Sequence, residues 1–309
     1  MRTGEQSAGF RSILVCVAEG TASDPALRAA SALANTFGAN LELLHVMPPL
    51  IATTVGIEDA ATAALTASAI AGVRTTLRAH MAHRHADIEV GGVPLAERLE
   101  VAVGMPARVV LERLRERRHD LVVVGESGKR KQLDLGGVAR VLFSKADCPV
   151  WMQTAPARAV RRILVPFDMS PTSITALERA IALARKFEAT ITVLHAFEAP
   201  VSLYGAEIGL ASGPLPYNVD EVRRAEQAAF AQALEARAWH GVVHTAEFVD
   251  EHPTRAVLAA QDRHDLIVLG THGHGALTAA LLGSVARQVV RLAHTAVLTI
   301  RDPRGKFAL

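Results

Sequence analysis

The chain has 309 residues, half of them apolar and only 4% aromatic, and this length predicts two compact units of ordinary domain size. A globally disordered chain is excluded, because a core of Ala, Val, Leu and Ile can be buried. With 33 basic and 31 acidic residues the formal net charge is +2, so a broad cationic surface for nucleic acid is not expected.

The compartment is indicated by the cysteines and by the lack of a long apolar segment. Cys16 and Cys148 are the only cysteines, which fits a reducing compartment without disulfides. The apolar stretch before Glu19 is too short for a secretion signal. The most apolar window, residues 41–57, is interrupted by a glutamate, a histidine and two prolines. A cytoplasmic protein that contacts no membrane is therefore predicted.

Short apolar runs alternate with helical patterns in chain order and predict buried strands. The strands expected are ILVCV, LELLHV, LVVVG and PVWM in the first half, and ILVPF, ITVLHAF, LIVLG and AVLTI in the second. Asp24 and Ser170, each followed by a proline, are expected to cap the helix after the first strand of each half. Pro106 and Pro253 are expected to begin two further helices.

The two halves of the chain repeat each other. Equivalent segments are RSILVCVAEG and RRILVPFDMS, then HDLVVVGESG and HDLIVLGTHG. Between the copies, TAPARAVR at 154–161 lacks apolar periodicity and suits a short connector. Two domains, 1–157 and 158–309, are therefore predicted.

Strands and helices that alternate through right-handed crossovers form a doubly wound parallel sheet. The sequence therefore predicts an α/β fold with two tandem sheets of this kind, each with helices on both faces. Such sheets bind ligands at the carboxyl ends of their strands. We therefore expect a functional site in the loops at those ends.

A glycine-rich loop follows the strand LIVLG of the second copy. Gly270, Gly273 and Gly283 precede a helix that Ser284 is expected to open. Main-chain N–H groups at such a turn, together with the N-terminus of the helix, suit phosphate oxygens. The loop has no lysine and the chain contains no GxxxxGK[ST], so a P-loop NTPase is not predicted, and the spacing differs from the GxGxxG of dinucleotide-binding proteins.

The spacing GxxG, nine residues, then G[ST], with Asp168 at the end of the first strand, resembles the ATP-binding signature of the universal stress protein family. Both copies are similar to that family over about residues 11–153 and 161–301. The resemblance implies a five-stranded sheet in each copy, of the adenine nucleotide alpha hydrolase-like type. It also implies that the ligand is an adenine nucleotide, ATP, alone or with Mg²⁺.

The resemblance assigns contacts to residues of the second copy. Asp168 would contact the adenosine part, and the backbone around Ala196 would meet the adenine edge. The phosphates would be held by Gly270, Gly273, Gly283 and Ser284.

The first copy departs from this signature. Ala18 stands at the position of Asp168, only seven residues follow GESG before Gly136, and Gly137 replaces the hydroxyl residue. A loop two residues shorter cannot trace the same phosphate cradle. KRK at 129–131 could supply charges for an anion, but the first copy is expected to be a structural or regulatory partner.

The same residues also have structural interpretations. Asp168 could cap the turn before Pro171, and the three glycines could serve ordinary turns and caps. Ser284 could be a plain N-cap residue. Both interpretations stay open from the residues alone, and the family resemblance favours ligand contact.

The histidines are interpreted as structural. His272 and His274, beside the loop glycines, are expected to face solvent and not to be catalytic. His45 and His195 occupy equivalent ends of the second strands, so a shared packing or hydrogen-bonding role is predicted. The stretch HMAHRH places two histidines, His80 and His83, on one helical face but offers no further metal ligand nearby. No metal site is therefore predicted.

Three functions stay open. The first, and preferred, is a regulatory module of the stress response that retains ATP without turnover. The second is a slow ATPase or phosphoryl-transfer enzyme, although no base, arginine finger or P-loop lysine is evident around the loop. The third is a nucleotide-independent scaffold that recruits another protein.

The family resemblance also implies an assembly, because its members pair through their last strands. PVWM and AVLTI, the last strands of the two copies, are expected to pair within one chain and so cover both edges. A homodimer of the whole chain and an unidentified protein partner are expected in addition.

Overall fold

A computed structural model describes residues 9–18, 20–49, 60–125, 136–154, 156–199, 218–273 and 282–301. The strands of the first copy are β1 (Ser12–Val17), β2 (Asn40–Met47), β3 (Glu89–Val90), β4 (Val93–Pro94), β5 (Leu99–Val103), β6 (Leu121–Gly125) and β7 (Val150–Gln153). Those of the second copy are β8 (Arg162–Pro166), β9 (Thr190–Phe197), β10 (His244–Asp250), β11 (Leu266–Gly270) and β12 (Ala296–Ile300).

Helices separate the strands in both copies. The first copy has α1 (Asp24–Phe37), α2 (Ala60–Arg84), α3 (Pro106–Glu116) and α4 (Gly137–Lys145). The second copy has α5 (Pro171–Phe187), α6 (Val219–Glu235), α7 (Pro253–Ala260) and α8 (Ser284–Leu292). Short 3-10 helices cover Leu95–Arg98 and Gln261–Arg263. None of the helices in the described ranges combines the length and the apolar character that a membrane span requires.

Ten strands form one continuous sheet in the order β10-β9-β8-β11-β12-β7-β6-β1-β2-β5, while β3 and β4 form a separate ribbon. Within the ten-stranded sheet, neighbouring strands of the same copy are parallel. The exception is the junction between the copies, where β7 and β12 run antiparallel. The predicted α/β fold is confirmed, and its two five-stranded sheets are joined edge to edge.

The last strand of each copy forms this junction, as the sequence predicts. Leu298 of β12 lies opposite Trp151 of β7, and Thr299 lies opposite Val150. Trp151 is buried and its indole N–H donates to Gln153 Oε1 at 2.8 Å. Because the strands are antiparallel across the junction, the carboxyl ends of the two copies lie at opposite edges of the sheet.

Helices cover both faces of the sheet in a pattern that crosses the junction. On one face α1, α2, α5 and α6 contribute to one buried apolar cluster, and on the other face α3, α4, α7 and α8 contribute to a second. The ring of Phe37 at the end of α1 contacts that of Phe187 at the end of α5, with centroids 5.6 Å apart. The two copies therefore share both layers of their core.

Three helices that cover the sheet begin at the prolines that the sequence analysis identifies. Ser170 Oγ accepts a hydrogen bond from Ser173 N at 3.2 Å, and Pro171 is the first residue of α5. Pro106 and Pro253 likewise begin α3 and α7. A proline suits this position because its fixed φ matches the helix and its missing N–H would have no partner there.

The predicted capping role of Asp24 is wrong. Asp24 is the first residue inside α1, and its carboxylate pairs with Arg84 and His85 around the end of α2. The helix begins later than its counterpart because Thr21 stands where the second copy has Pro171. The carboxylate therefore ties two helices together and does not cap one.

Both cysteines pack partly buried against the apolar cluster under α3 and α4. Burial raises the pKa of the Cys16 thiol to about 12 and that of Cys148 to about 12. A thiol with so high a pKa stays protonated and unreactive at neutral pH. Both cysteines therefore behave as small hydrophobic residues in this structure.

Candidate functional site

The carboxyl edge of the second copy contains a cavity of about 570 Å³. It lies where β8, β9 and β11 end and where α7 and α8 begin. The residues that the sequence assigns to nucleotide contacts all line it: Asp168, Ala196, Gly270, Gly273, Gly283 and Ser284. The fold thus brings together, around one cavity, residues that are far apart in the chain.

The interior of the cavity is apolar. Phe167 and Leu194, from the ends of β8 and β9, line it together with Val257 of α7 and Leu269 of β11. All of these side chains are buried. Their apolar runs predict burial, but nothing in the sequence indicates which members of a buried strand face a ligand.

Asp168 uses its two carboxylate oxygens differently. Oδ1 accepts a hydrogen bond from Ser170 N at 3.0 Å, so the carboxylate does shape the turn before α5. Oδ2 lies directly against Gly273, where an added methyl group would overlap it. The structural interpretation of Asp168 is therefore correct, and the same side chain also lines the cavity.

Gly270 is required by the packing of a helix on a strand. A Cβ at this position would lie 2.9 Å from the carbonyl carbon of Thr172, in the first turn of α5. Gly125, its counterpart in the first copy, would meet Ala22 O at 2.8 Å in the same way. Both copies therefore need glycine here, whatever the cavity binds.

The backbone on either side of residues 274–281 is held together by hydrogen bonds. Gly283 N donates to Thr271 O at 2.8 Å, and Thr271 N donates to Ile300 O at 2.9 Å at the end of β12. The hydroxyl of Thr172 donates to His272 O. These bonds hold Gly283 beside Gly273 at the N-terminus of α8.

Gly283, and not Ser284, is the N-cap residue of α8, which corrects the interpretation of Ser284 as a plain cap. Gly283 has no side chain with which to cap this helix. Its first internal hydrogen bond runs from Arg287 N to Gly283 O at 2.9 Å. The N–H groups before Arg287 have no acceptor within the helix, and their residues Ser284, Val285 and Ala286 line the cavity.

His272 also lines the cavity, which corrects its interpretation as a solvent-facing loop residue. The side chain is half-buried, and its Nδ1 lies 2.8 Å from Thr271 Oγ1. His272 is held there because its carbonyl is bonded to Thr172 across the turn. His274 lies outside the described residues.

The shared hydrogen-bonding role predicted for His45 and His195 is confirmed. His45 Nδ1 lies 2.9 Å from Val17 O, and His195 Nδ1 lies 2.8 Å from Phe167 O. In each copy this contact ties the second strand to the end of the first. His195 in addition lies 2.8 Å from Glu226 Oε1 of α6 and lines the cavity.

Arg287 is a cavity residue that the sequence analysis does not identify. It lies in the first turn of α8, and its exposed side chain lines the cavity. An arginine is therefore present beside the loop, although none was evident from the motif. Only the helical geometry, which returns residue 287 to the side of Gly283, reveals its position.

In the first copy, α4 begins as α8 does in the second copy, but the position of Asp168 has no carboxylate. Gly136 is the N-cap of α4 and Gly137 its first residue, as in the second copy. Ala18 presents no carboxylate, and its backbone N–H donates to Ser23 Oγ at 2.7 Å. The basic segment 129–131 lies outside the described residues.

Both copies of the chain are similar in sequence to proteins of one known family. The model of the universal stress protein family matches residues 9–153 and 159–301. A universal stress protein of Methanocaldococcus jannaschii is 31% identical over 148 residues, which cover 47% of this chain and 84% of that protein. One from Mycobacterium tuberculosis is 26% identical over 217 residues, which cover 67% of this chain and 70% of that protein.

Solved structures with the same two-copy architecture span nearly the whole chain. A protein of unknown function from Pseudomonas aeruginosa aligns with a TM-score of 0.63 at 19% identity, covering 97% of this chain and 96% of its own. A universal stress protein from Archaeoglobus fulgidus aligns with a TM-score of 0.58 at 17% identity, covering 96% and 99%. At these identities the likeness concerns the fold.

Proposed function

The chain belongs to the universal stress protein family, and from this membership and the cavity we propose that it is a regulatory module that holds ATP in its second copy. One observation carries the proposal. The residues that match the family's ATP signature surround a single cavity of about 570 Å³, a volume typical of small-molecule sites.

The apolar interior suits an adenine ring. Phe167, Leu194 and Val257 offer buried apolar surface, and transfer of a flat ring from water onto such surface is favourable. Ala196 lies at the end of β9, where its small side chain leaves the backbone open to the edge of the ring. Asp168 supplies a carboxylate acceptor for ribose hydroxyls.

The N-terminus of α8 suits the phosphates. Its first N–H groups lack acceptors within the helix, the N-cap residue Gly283 has no side chain to accept from them, and the helix dipole favours an anion there. Ser284 adds a hydroxyl at the first helical position. Gly273 and Gly283 line the cavity through their main chain alone.

Mg²⁺ would be bound chiefly through the nucleotide. Asp168 carries the only carboxylate among the described residues that line the cavity, and no group of three or more metal-ligating side chains occurs in the described part of the chain. Mg²⁺ characteristically keeps several waters and binds through one or two carboxylates plus substrate phosphates. Asp168 and phosphate oxygens fit that pattern.

A slow ATPase is the second candidate, because Arg287 lines the cavity and could stabilise charge on a transferred phosphoryl group. We favour retention without turnover, since Asp168 Oδ1 already accepts the Ser170 N–H and is less available as a base. Release of phosphate that is lost in Asp168→Ala would support the enzyme instead.

Several expectations stay proposals about the whole chain. We place the domain boundary near residue 157 and regard the first copy as a structural or regulatory partner. The junction of β7 and β12 pairs the two copies within one chain, so further association into a homodimer needs another surface. Light scattering would measure that state, and a cytoplasmic location stays a prediction.

The nucleotide proposal is tested on freshly purified protein. Denaturation followed by chromatography of the supernatant identifies any retained nucleotide. We expect ATP from the wild type and from Gly137→Ala, a control in the first copy at the position that corresponds to Ser284, and much less from Asp168→Ala and Gly273→Ala. Equal retention in all four proteins, or none in the wild type with no binding of added ATP, would contradict the proposal.

A further inference from the structure

We infer that Arg287 makes the cavity selective for ligands by their number of phosphate charges, and this inference rests on the proposed function. Asp168 and Arg287 are the carboxylate and the guanidinium among the lining residues. Neither the glycines nor the helix N-terminus carries a full charge. The attraction between Arg287 and a ligand therefore grows with the negative charge of that ligand.

The guanidinium of Arg287 has no counter-charge in the part of the chain that the structure describes. Among the described residues no carboxylate lies within ion-pair distance of it. Six other arginines of the second copy do have such a partner: Arg161, Arg162, Arg223, Arg237, Arg255 and Arg263. A cation that lines a cavity without a counter-charge is available to an anion that enters it.

The position of Arg287 directs this charge toward the proposed phosphate site. Its backbone N–H is bonded to Gly283 O at 2.9 Å, so it lies one helical turn from the glycine that starts α8. Ser284, Val285 and Ala286, which offer the helix N–H groups, line the cavity with it. A phosphate group at the helix start would thus lie within reach of a fork of guanidinium donors.

Asp168 places a negative charge near the proposed phosphate site. Its carboxylate lies against Gly273, which is itself beside Gly283. A carboxylate this near the glycine loop repels a ligand in proportion to the negative charge of that ligand unless a cation compensates for it. Arg287 supplies that cation, and its effect should be least for adenosine and largest for ATP.

The chain contains a matched control for this arginine. Arg140 occupies the equivalent position in α4, where its backbone N–H donates to Gly136 O at 3.1 Å. Its side chain is exposed, as is that of Arg287. No Asp168 equivalent accompanies Arg140, because Ala18 stands there.

Calorimetric titration of adenosine, AMP, ADP and ATP, without Mg²⁺, tests the inference on nucleotide-free whole protein. Arg287→Ala should weaken ATP binding about tenfold and adenosine binding less than about twofold, with AMP and ADP between them in order of charge. Arg287→Lys should keep part of the preference, and Arg140→Ala should change nothing. Thermal unfolding without ligand should be the same for all four proteins.

Each alternative outcome is decisive. Equal weakening of all four ligands in Arg287→Ala would mark a structural role and overturn the inference. Ratios between the four ligand affinities that are the same in Arg287→Ala as in the wild type would overturn it as well, while the proposed function would stand. A wild type that binds none of the four ligands would overturn both the proposed function and the inference.

Discussion

The carboxylate of Asp168 and the backbone of Gly273 occupy touching positions: Asp168 Oδ2 lies where any side chain of residue 273 would begin. The other oxygen of Asp168 accepts the Ser170 N–H at 3.0 Å, so the carboxylate has little freedom to move away. The acid at the end of β8 and the second glycine of the loop are thus parts of one arrangement.

This contact predicts that Gly273→Ala and Asp168→Ala are not additive. Gly273→Ala alone should destabilise the chain by about 1–3 kcal/mol, because the new methyl group overlaps Asp168 Oδ2. In an Asp168→Ala background the same change should cost little, since the overlapping atom is gone. Denaturant unfolding of the two single variants and the double variant measures the coupling. Additive costs would show that the two residues do not restrain each other.

The glycines at the ends of β6 and β11 predict a paired effect on stability. Gly125→Ala and Gly270→Ala should each cost about 1–3 kcal/mol. The added methyl group meets Ala22 O, in the turn before α1, at 2.8 Å and the carbonyl carbon of Thr172, in the first turn of α5, at 2.9 Å. Gly137→Ala, which meets nothing within 4 Å, is the control. Chemical denaturation gives the comparison. A cost at Gly270 alone would contradict the packing explanation, because that explanation applies to both copies.

Asp265 predicts a loss of stability at acid pH. Its carboxylate accepts hydrogen bonds from the backbone of Arg161 and Arg162 and pairs with the Arg162 guanidinium at 2.9 Å. Burial alone would raise the pKa of this carboxyl, but the hydrogen bonds and the charge of Arg162 hold it below the usual 3.8. A lowered folded-state pKa stabilises the protein above the unfolded value, and that stabilisation disappears as pH falls through the folded value.

The matching experiment compares the free energy of unfolding of the wild type and Asp265→Asn from neutral pH to about pH 3. The wild type should be more stable by about 1.5–3 kcal/mol at neutral pH, and the difference should shrink below about pH 4. Asp147→Asn, an exposed member of a surface ion pair, should change stability little. A difference that stays constant with pH would contradict the role of the charge.

The junction between the copies predicts a large effect of Trp151→Ala. Trp151 is buried opposite Leu298, and its indole N–H donates to Gln153. Removing the ring should cost about 3–5 kcal/mol, because it leaves a cavity between the two halves of the sheet. Trp239→Ala, which removes a half-buried indole far from the junction, should cost less. A smaller loss at Trp151 than at Trp239 would show that the junction is not part of the shared core.

The fold was predictable because its signals are local and repeated. Apolar runs that recur in both halves predict strands such as β1 and β8, and the family resemblance implies the pairing of the last strands, β7 and β12. Glycine spacing predicts the loop before α8 for the same reason, since turns depend on residues close in sequence.

The errors at Asp24 and His272 concern contacts between distant residues, whereas the error at Ser284 is a shift of one residue in the start of α8. Aspartate is a residue type that often caps helices. The carboxylate of Asp24 instead pairs with Arg84 and His85, which lie at the end of α2, much later in the chain. His272 faces the cavity because Thr172 holds its carbonyl. Arg287 becomes a cavity residue only once the helix start at Gly283 is known. Such side-chain environments arise from tertiary packing and have no local sequence signal.

A crystal structure of the chain grown with ATP tests the central claim most directly. The account predicts density for the nucleotide in the second copy, with the adenine over Phe167 and the phosphates at the start of α8 beside Ser284. It predicts no comparable density at the carboxyl edge of the first copy, where Ala18 replaces the acid. Nucleotide in the first copy, with the cavity beside Asp168 empty, would contradict the account.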